Sequence, residues 1–201
     1  MNTFSLSRLS GDEQLWNGLI LGDRDSLGAI YHKYVQDLFR FGCSLVHDED
    51  LVRDAIQEVF VDLWKYHSTL QPTDKVKVYL FKCLSNRIQK ESQSGQKRKA
   101  KLEKYMLDEE VIVESIETSL ITAIQNRSLQ TRLRKALEYL PLRQKEVINC
   151  LFFENFSYEE TAKIMNINLR SVYTLAWKAI SSLKESVGFR IFLLFALGLF
   201  S

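Results

Sequence analysis

Apolar residues recur along this chain at intervals of three and four, and no stretch of useful length alternates in the strand manner. The clearest stripe covers residues 51–64, LVRDAIQEVFVDLW. There Val52, Ala55, Ile56, Val59, Phe60 and Leu63 share one face, and Arg53, Asp54, Gln57, Glu58 and Asp62 share the other. Asp48, Glu49 and Asp50 precede it, where carboxylates favour the positive end of a helix dipole. A stripe over residues 26–46 runs through Leu27, Ile30, Tyr31, Tyr34, Leu38, Phe41 and Leu45. Residues 68–77 carry Pro72 and interrupt the pattern, and a third helix is predicted over about 78–91. Three helices of this size suit one small bundle.

The polar stretch SQSGQ at 92–96 predicts a domain boundary, followed by a charged linker to about residue 119. Helical patterning resumes at Leu120 and ends at Pro141, which suits the first position of another helix. Ser157 and Glu160 have capping-box spacing at the start of a short helix to Met165. Asn166, Ile167 and Asn168 predict a turn, with Asn168 capping a longer helix that buries Val172, Ala176, Ala179, Ile180 and Leu183. Short helix, tight turn and longer helix make a helix-turn-helix. The expected fold is all-α: two small helical domains joined by a linker, at 12–92 and 120–187, with the linker at 93–119 and an apolar tail at 188–201.

Composition agrees. The chain has 201 residues with only eight Gly and two Pro, too few for an all-β fold of many tight turns. A formal charge of +2 excludes a histone-like protein and an acidic disordered chain. Cys43, Cys83 and Cys150 form no paired spacing, and the three histidines add no zinc pattern. This predicts a reducing compartment, no disulfide framework and no metal. Residues 1–16 include Asp12 and Glu13 and do not read as a secretory signal, so the expected location is cytoplasmic. The tail from Ile191 to Phe200 is apolar apart from Gly198 but too short for a membrane span of about 20 residues. It reads as an extra packing helix, or alternatively as a membrane-surface or partner contact.

Charge is local rather than global. Between Lys82 and Lys104 stand eight basic residues and two acids, and the long second helix carries Arg170, Lys178 and Lys184 without an acid between Leu169 and Lys184. Such patches are either ordinary solvated runs or sites for polyanionic phosphate. The residues expected to face a major groove are Leu169, Arg170, Tyr173, Thr174 and Trp177, unless the hairpin simply packs in a bundle. Lys65, Tyr66, His67, Lys75, Lys77 and Tyr79 interleave cations with rings, as single-strand binders do and as plain surface loops also do. The sequence offers no catalytic set, no Gly-rich phosphate loop and no cofactor motif.

Three segments in order resemble the ECF (extracytoplasmic function) class of bacterial sigma factors: DLVRDAIQEVFVDLW at 50–64, VYLFKCLSNRI at 78–88, and the stretch from YLPLRQKEVINC through SYEETAKIMNINLRSVYTLAWKAISSLK at 139–184. The first is similar to the family's core-binding helix, the second to its promoter-melting helix, the third to its C-terminal helix-turn-helix. The resemblance spans roughly residues 19–184. It departs at Tyr79, where the family often has Trp, at Asn166, where Gly is usual, and at Leu175, which replaces a recurrent Arg.

The resemblance implies a promoter-specificity subunit that binds core RNA polymerase and opens promoter DNA, without catalysis or a small-molecule substrate of its own. It implies a core-polymerase surface at Asp54, Gln57, Glu58, Val61 and Asp62. It implies contacts with the minus-ten element by Lys65, Tyr66, Lys75, Lys77, Tyr79, Lys82, Asn86 and Arg87. It implies contacts with the minus-thirty-five element by Arg170, Ser171, Tyr173, Thr174 and Lys178. An anti-sigma factor, often membrane-anchored in this family, is the implied inhibitor. The competing readings are a helix-turn-helix regulator acting without polymerase and a membrane-associated adaptor using the tail.

Overall fold

The computed structural model describes residues 11–102 and 131–187, with the backbone alone over 93–102. All regular structure among them is helical. The first unit comprises α1 (Gly11–Ile20), α2 (Arg24–Leu45), α3 (Glu49–Lys65), a 3-10 turn (His67–Thr69) and α4 (Val76–Leu102). The second comprises α5 (131–138), α6 (Leu142–Ile148), α7 (Tyr158–Met165) and α8 (Leu169–Val187). The predicted tail at 188–201, the linker residues 103–119 and the expected helix start at 120–130 lie outside the described residues.

The helix starts follow local chemistry. Asp23 caps α2 by accepting from the backbone N–H groups of Asp25 and Ser26, and Asp48 caps α3 by accepting from Leu51 N–H at 3.0 Å. Gly22 turns the chain between α1 and α2 at φ +83, a conformation suited to glycine. The six apolar residues predicted on the inner face of α3 are all buried. In α2, Ile30, Tyr34, Leu38, Phe41 and Leu45 are buried, while Tyr31 is 40% exposed. Gly42 lets α2 and α3 approach closely, since a Cβ there would come within 2.5 Å of Val52 Cγ1.

One predicted helix end is corrected. The third helix was expected to stop near Glu91, yet α4 continues through SQSGQ to Leu102. The segment contains no proline, and a lone glycine costs a helix only about 1 kcal/mol. The Lys, Arg, Gln and Ala residues that follow are good helix formers.

In the second unit the capping box is present in both directions. Glu160 N–H donates to Ser157 Oγ, and Ser157 N–H donates to Glu160 Oε2, each at 3.1 Å. Asn166 takes φ 52 and ends α7, as its short polar side chain allows. Asn168 Oδ1 accepts from Ser171 N–H at 2.8 Å. Pro141 sits one position earlier than expected, as the residue preceding α6. An unforeseen feature is the π-type turn Asn149–Phe153 that extends α6, closed by Glu154 N–H donating to Asn149 O at 2.9 Å.

The two units pack against each other. Cys150, Phe156 and Ile164 of the second unit join the core of the first. Phe156 meets Phe81 edge-on with centroids 5.1 Å apart. Glu146, fully buried, accepts hydrogen bonds from Ser85 Oγ and from Gln89 Nε2 on α4, the latter at 3.2 and 3.3 Å. Its charge is matched by Arg143 on its own helix at 2.6 Å. That pairing is what makes a buried carboxylate tolerable at the interface.

Candidate nucleic-acid and polymerase interfaces

An open cleft of about 440 Å³ lies between the end of α3, the turn after it and the outer face of α4. Tyr66, Leu70, Tyr79, Cys83, Asn86 and Arg87 contribute to its walls. Four of the eight residues predicted for the minus-ten element therefore converge here: Tyr66, Tyr79, Asn86 and Arg87. Tyr66 and Asn86 are exposed, and Tyr79 is half-buried with its ring edge-on to Trp16 at 5.0 Å. Trp16 in turn donates from Nε1 to the carbonyl of Gln71 at 2.9 Å, which fixes the loop leading into α4. Burial, reinforced by neighbouring Cys83, pushes the Tyr79 phenol up to about 12, so the ring stays neutral at physiological pH. Burial likewise raises the Cys83 thiol.

The other four predicted residues are placed differently. Lys65 lies over its neighbour Tyr66 at 5.1 Å, and Lys82 is half-buried on α4. Lys75 and Lys77 reach the second unit: Lys75 pairs with Glu160 and Lys77 with Glu154, both at 2.9 Å.

The predicted polymerase face of α3 presents Asp54, Gln57, Glu58 and Val61 to solvent, with Asp62 half-buried. Arg87 bridges this face to the cleft. Its guanidinium pairs with Glu58 and, at 2.5 Å, with Asp62. Two of the predicted polymerase contacts thus also position a predicted DNA contact, a link that residue spacing does not reveal. Beside them runs an apolar groove of about 770 Å³ between α2 and α3, walled by Tyr31, Phe39, Phe60 and Trp64 and rimmed by Gln57 and Val61.

On α8, Arg170, Tyr173, Thr174 and Lys178 are exposed and Ser171 is half-buried. Tyr173 stacks on Tyr158 of α7 with centroids 4.4 Å apart, which braces the ring. Thr174 Oγ1 donates back to Arg170 O at 3.0 Å. Trp177, 68% exposed, extends this face by a turn. Packing of the two units leaves this face open.

Two helical units of this kind have known counterparts. Residues 30–98 match the family described as sigma-70 region 2, and residues 130–183 match sigma-70, region 4. The chain is 26% identical over 163 residues to the ECF RNA polymerase sigma factor SigM of Bacillus subtilis (strain 168), spanning 79% of this chain and 93% of that protein. The chain belongs to the ECF class of bacterial sigma factors. It is also 27% identical over 149 residues to the RNA polymerase sigma factor SigV of the same organism, spanning 74% of this chain and 83% of SigV. The fold is similar to that of CnrH in its complex with the cytosolic domain of CnrY. The TM-score is 0.61 at 18% identity, covering 88% of this chain and 96% of CnrH. It is similar also to the sigma factor RpoE of Bartonella quintana in complex with the anti-sigma factor NepR. There the TM-score is 0.58 at 21% identity, covering 77% of this chain and 92% of RpoE.

As a sigma factor the protein is the promoter-specificity subunit that binds bacterial core RNA polymerase and directs transcription initiation. Sigma factors are regulatory subunits rather than enzymes. No helix among the described residues is long and apolar enough to cross a membrane.

Proposed function

We propose that the first unit, residues 12–92, docks on core polymerase through Asp54, Gln57, Glu58, Val61 and Asp62 and holds the unpaired minus-ten strand in the α3–α4 cleft. The observation that carries this is the convergence of Tyr66, Tyr79, Asn86 and Arg87, from two elements, on one open cleft. Rings stack on unpaired bases, an exposed amide hydrogen-bonds their edges, and cations follow the backbone. Lys65, Lys75, Lys77 and Lys82 supply the remaining positive charge along that strand. A surface that binds single strands better than duplex shifts DNA toward the melted state without any chemical step.

The second unit, residues 120–187, reads the minus-thirty-five element in the major groove. Arg170 and Tyr173 reach base edges, and Ser171, Thr174 and Lys178 hold the backbone. Residues 93–119 join the units, and 188–201 form an appended tail. The protein works in the cytoplasm, where core polymerase and promoter DNA are, and an anti-sigma factor restrains it by covering the polymerase-binding face of α3.

Run-off transcription with purified core enzyme tests the reading. Tyr79→Ala with Asn86→Ala should reduce initiation on duplex promoter DNA at least about tenfold while sparing a template already mismatched over the minus-ten element. Equal loss on both templates, or no loss on either, would sink the cleft assignment.

A further inference from the structure

Lys75 and Lys77 stand at the start of α4, outside the walls of the cleft, and each ends on a carboxylate of the second unit. We propose that Glu160 and Glu154 occupy these two lysines as phosphate groups would, so that in the free chain the docked second unit masks part of the single-strand surface. The inference rests on the proposed reading of Lys75 and Lys77 as minus-ten contacts and adds what competes for them.

Both carboxylates are held in place rather than left to solvent. Glu160 is shared between Lys75 and the backbone of Ser157 through the capping box. The Glu154 side chain is 8% exposed, and the Lys77 ammonium it meets lies over both Phe81 and Phe156, at 5.3 and 5.1 Å. These rings belong to different units, so the ion pair and the apolar contact form and separate together. The Lys75–Glu160 pair, more than half exposed on the lysine side, is weak alone. Its strength as a mask comes from the same docking that seats Phe156 and Ile164 in the first unit's core. Tyr66 and Asn86, by contrast, face solvent without any movement of the second unit. The DNA surface of the first unit is therefore divided into an open cleft and a covered basic edge. A phosphate chain and the two glutamates compete for that edge.

The test uses the full chain without polymerase and a fluorescein-labelled oligothymidylate of about 20 nucleotides, longer than a single-module site. Anisotropy is titrated from about 50 to 200 mM salt. Glu154→Gln with Glu160→Gln should bind about tenfold tighter than the natural chain. The slope of log affinity against log salt should steepen by about 0.7 for each lysine released. Glu160→Gln alone keeps the capping box, since Gln serves there as well as Glu, and should give a smaller gain in the same direction. Adding Lys75→Ala and Lys77→Ala to the double Gln chain should abolish both changes. Gln variants that bind no tighter than the natural chain, or a gain that survives loss of both lysines, would overturn the mask and leave the cleft reading standing. Promoter opening by core enzyme that is indifferent to Lys75→Ala and Lys77→Ala would instead remove the lysines from the minus-ten reading, and the inference with it.

Discussion

The two helical units fill their interiors differently. The first packs large rings, Trp16, Tyr34, Phe41, Phe60 and Phe81, between long helices. The second has no ring among its own buried core residues, which are Ala, Val, Leu, Ile and Met between helices as short as seven and eight residues. Helices of that length are marginal by themselves and persist through tertiary packing. Three of the second unit's buried apolar residues, Cys150, Phe156 and Ile164, are spent on the first unit's core rather than its own. The second unit's stability is thus drawn partly from its neighbour. The first unit's aromatic core is built mainly from its own residues, with Phe156 of the second unit completing the packing around Phe81.

The sharpest way to break this comparison is Phe156→Ala, which removes a ring buried between the units. A cost of about 3 kcal/mol is expected. Hydrogen exchange should show amide protection falling in α7 and α8 while α2 and α3 keep theirs. Equal loss in all four helices would mean that the first unit leans on the second just as heavily. Gly42→Ala probes the opposite side, since its methyl would press on Val52 between α2 and α3. Overpacking there should cost about 2 kcal/mol of stability, read as a lowered denaturant midpoint. Ser157→Ala removes the cap of α7 and should cost about 1 kcal/mol, with exchange at the first turn of that helix rising most.

The smallest effect concerns Glu146. Burial pushes its carboxyl above the ordinary value of about 4.5, against the pull of Arg143, Ser85 and Gln89. In the window between the unfolded and the raised folded value, the folded state holds more proton. Stability therefore falls as pH rises through that window. Denaturant midpoints followed upward from about pH 4.5 should show this decline, and Glu146→Gln should flatten it. A decline unchanged in the Gln chain would assign the pH response to another group.

Much of this architecture was legible in local patterns. The inner face of α3, the Ser157–Glu160 box, the turn at 166–168 and the Asn168 cap all depend on residues within four positions of each other. Helix periodicity and capping are short-range effects, so spacing reveals them. The end of α4 is not legible in this way, because polar composition at 92–96 resembles a break although nothing in it forbids a helix. The π-type turn has no periodic signature, and its Cys150, with Phe156 just beyond it, lies in the first unit's core. In the candidate sites, residue type and family pattern picked out Tyr66, Tyr79, Asn86 and Arg87. They did not reveal that Trp16 and Cys83 stand beside them, or that Arg87 would pair with Glu58 and Asp62.

Short-range patterning in the chain settled which segments are helical, the caps of α7 and α8, and which face of each helix is apolar. Tertiary packing alone settled which polar and charged groups of different helices meet. Ser85 and Glu146 are 61 positions apart, and Lys75 and Glu160 are 85 apart. Over such distances no periodicity links two residues. Their meeting follows from the burial of Phe156 and Ile164 against α4, which carries the charged side chains into contact.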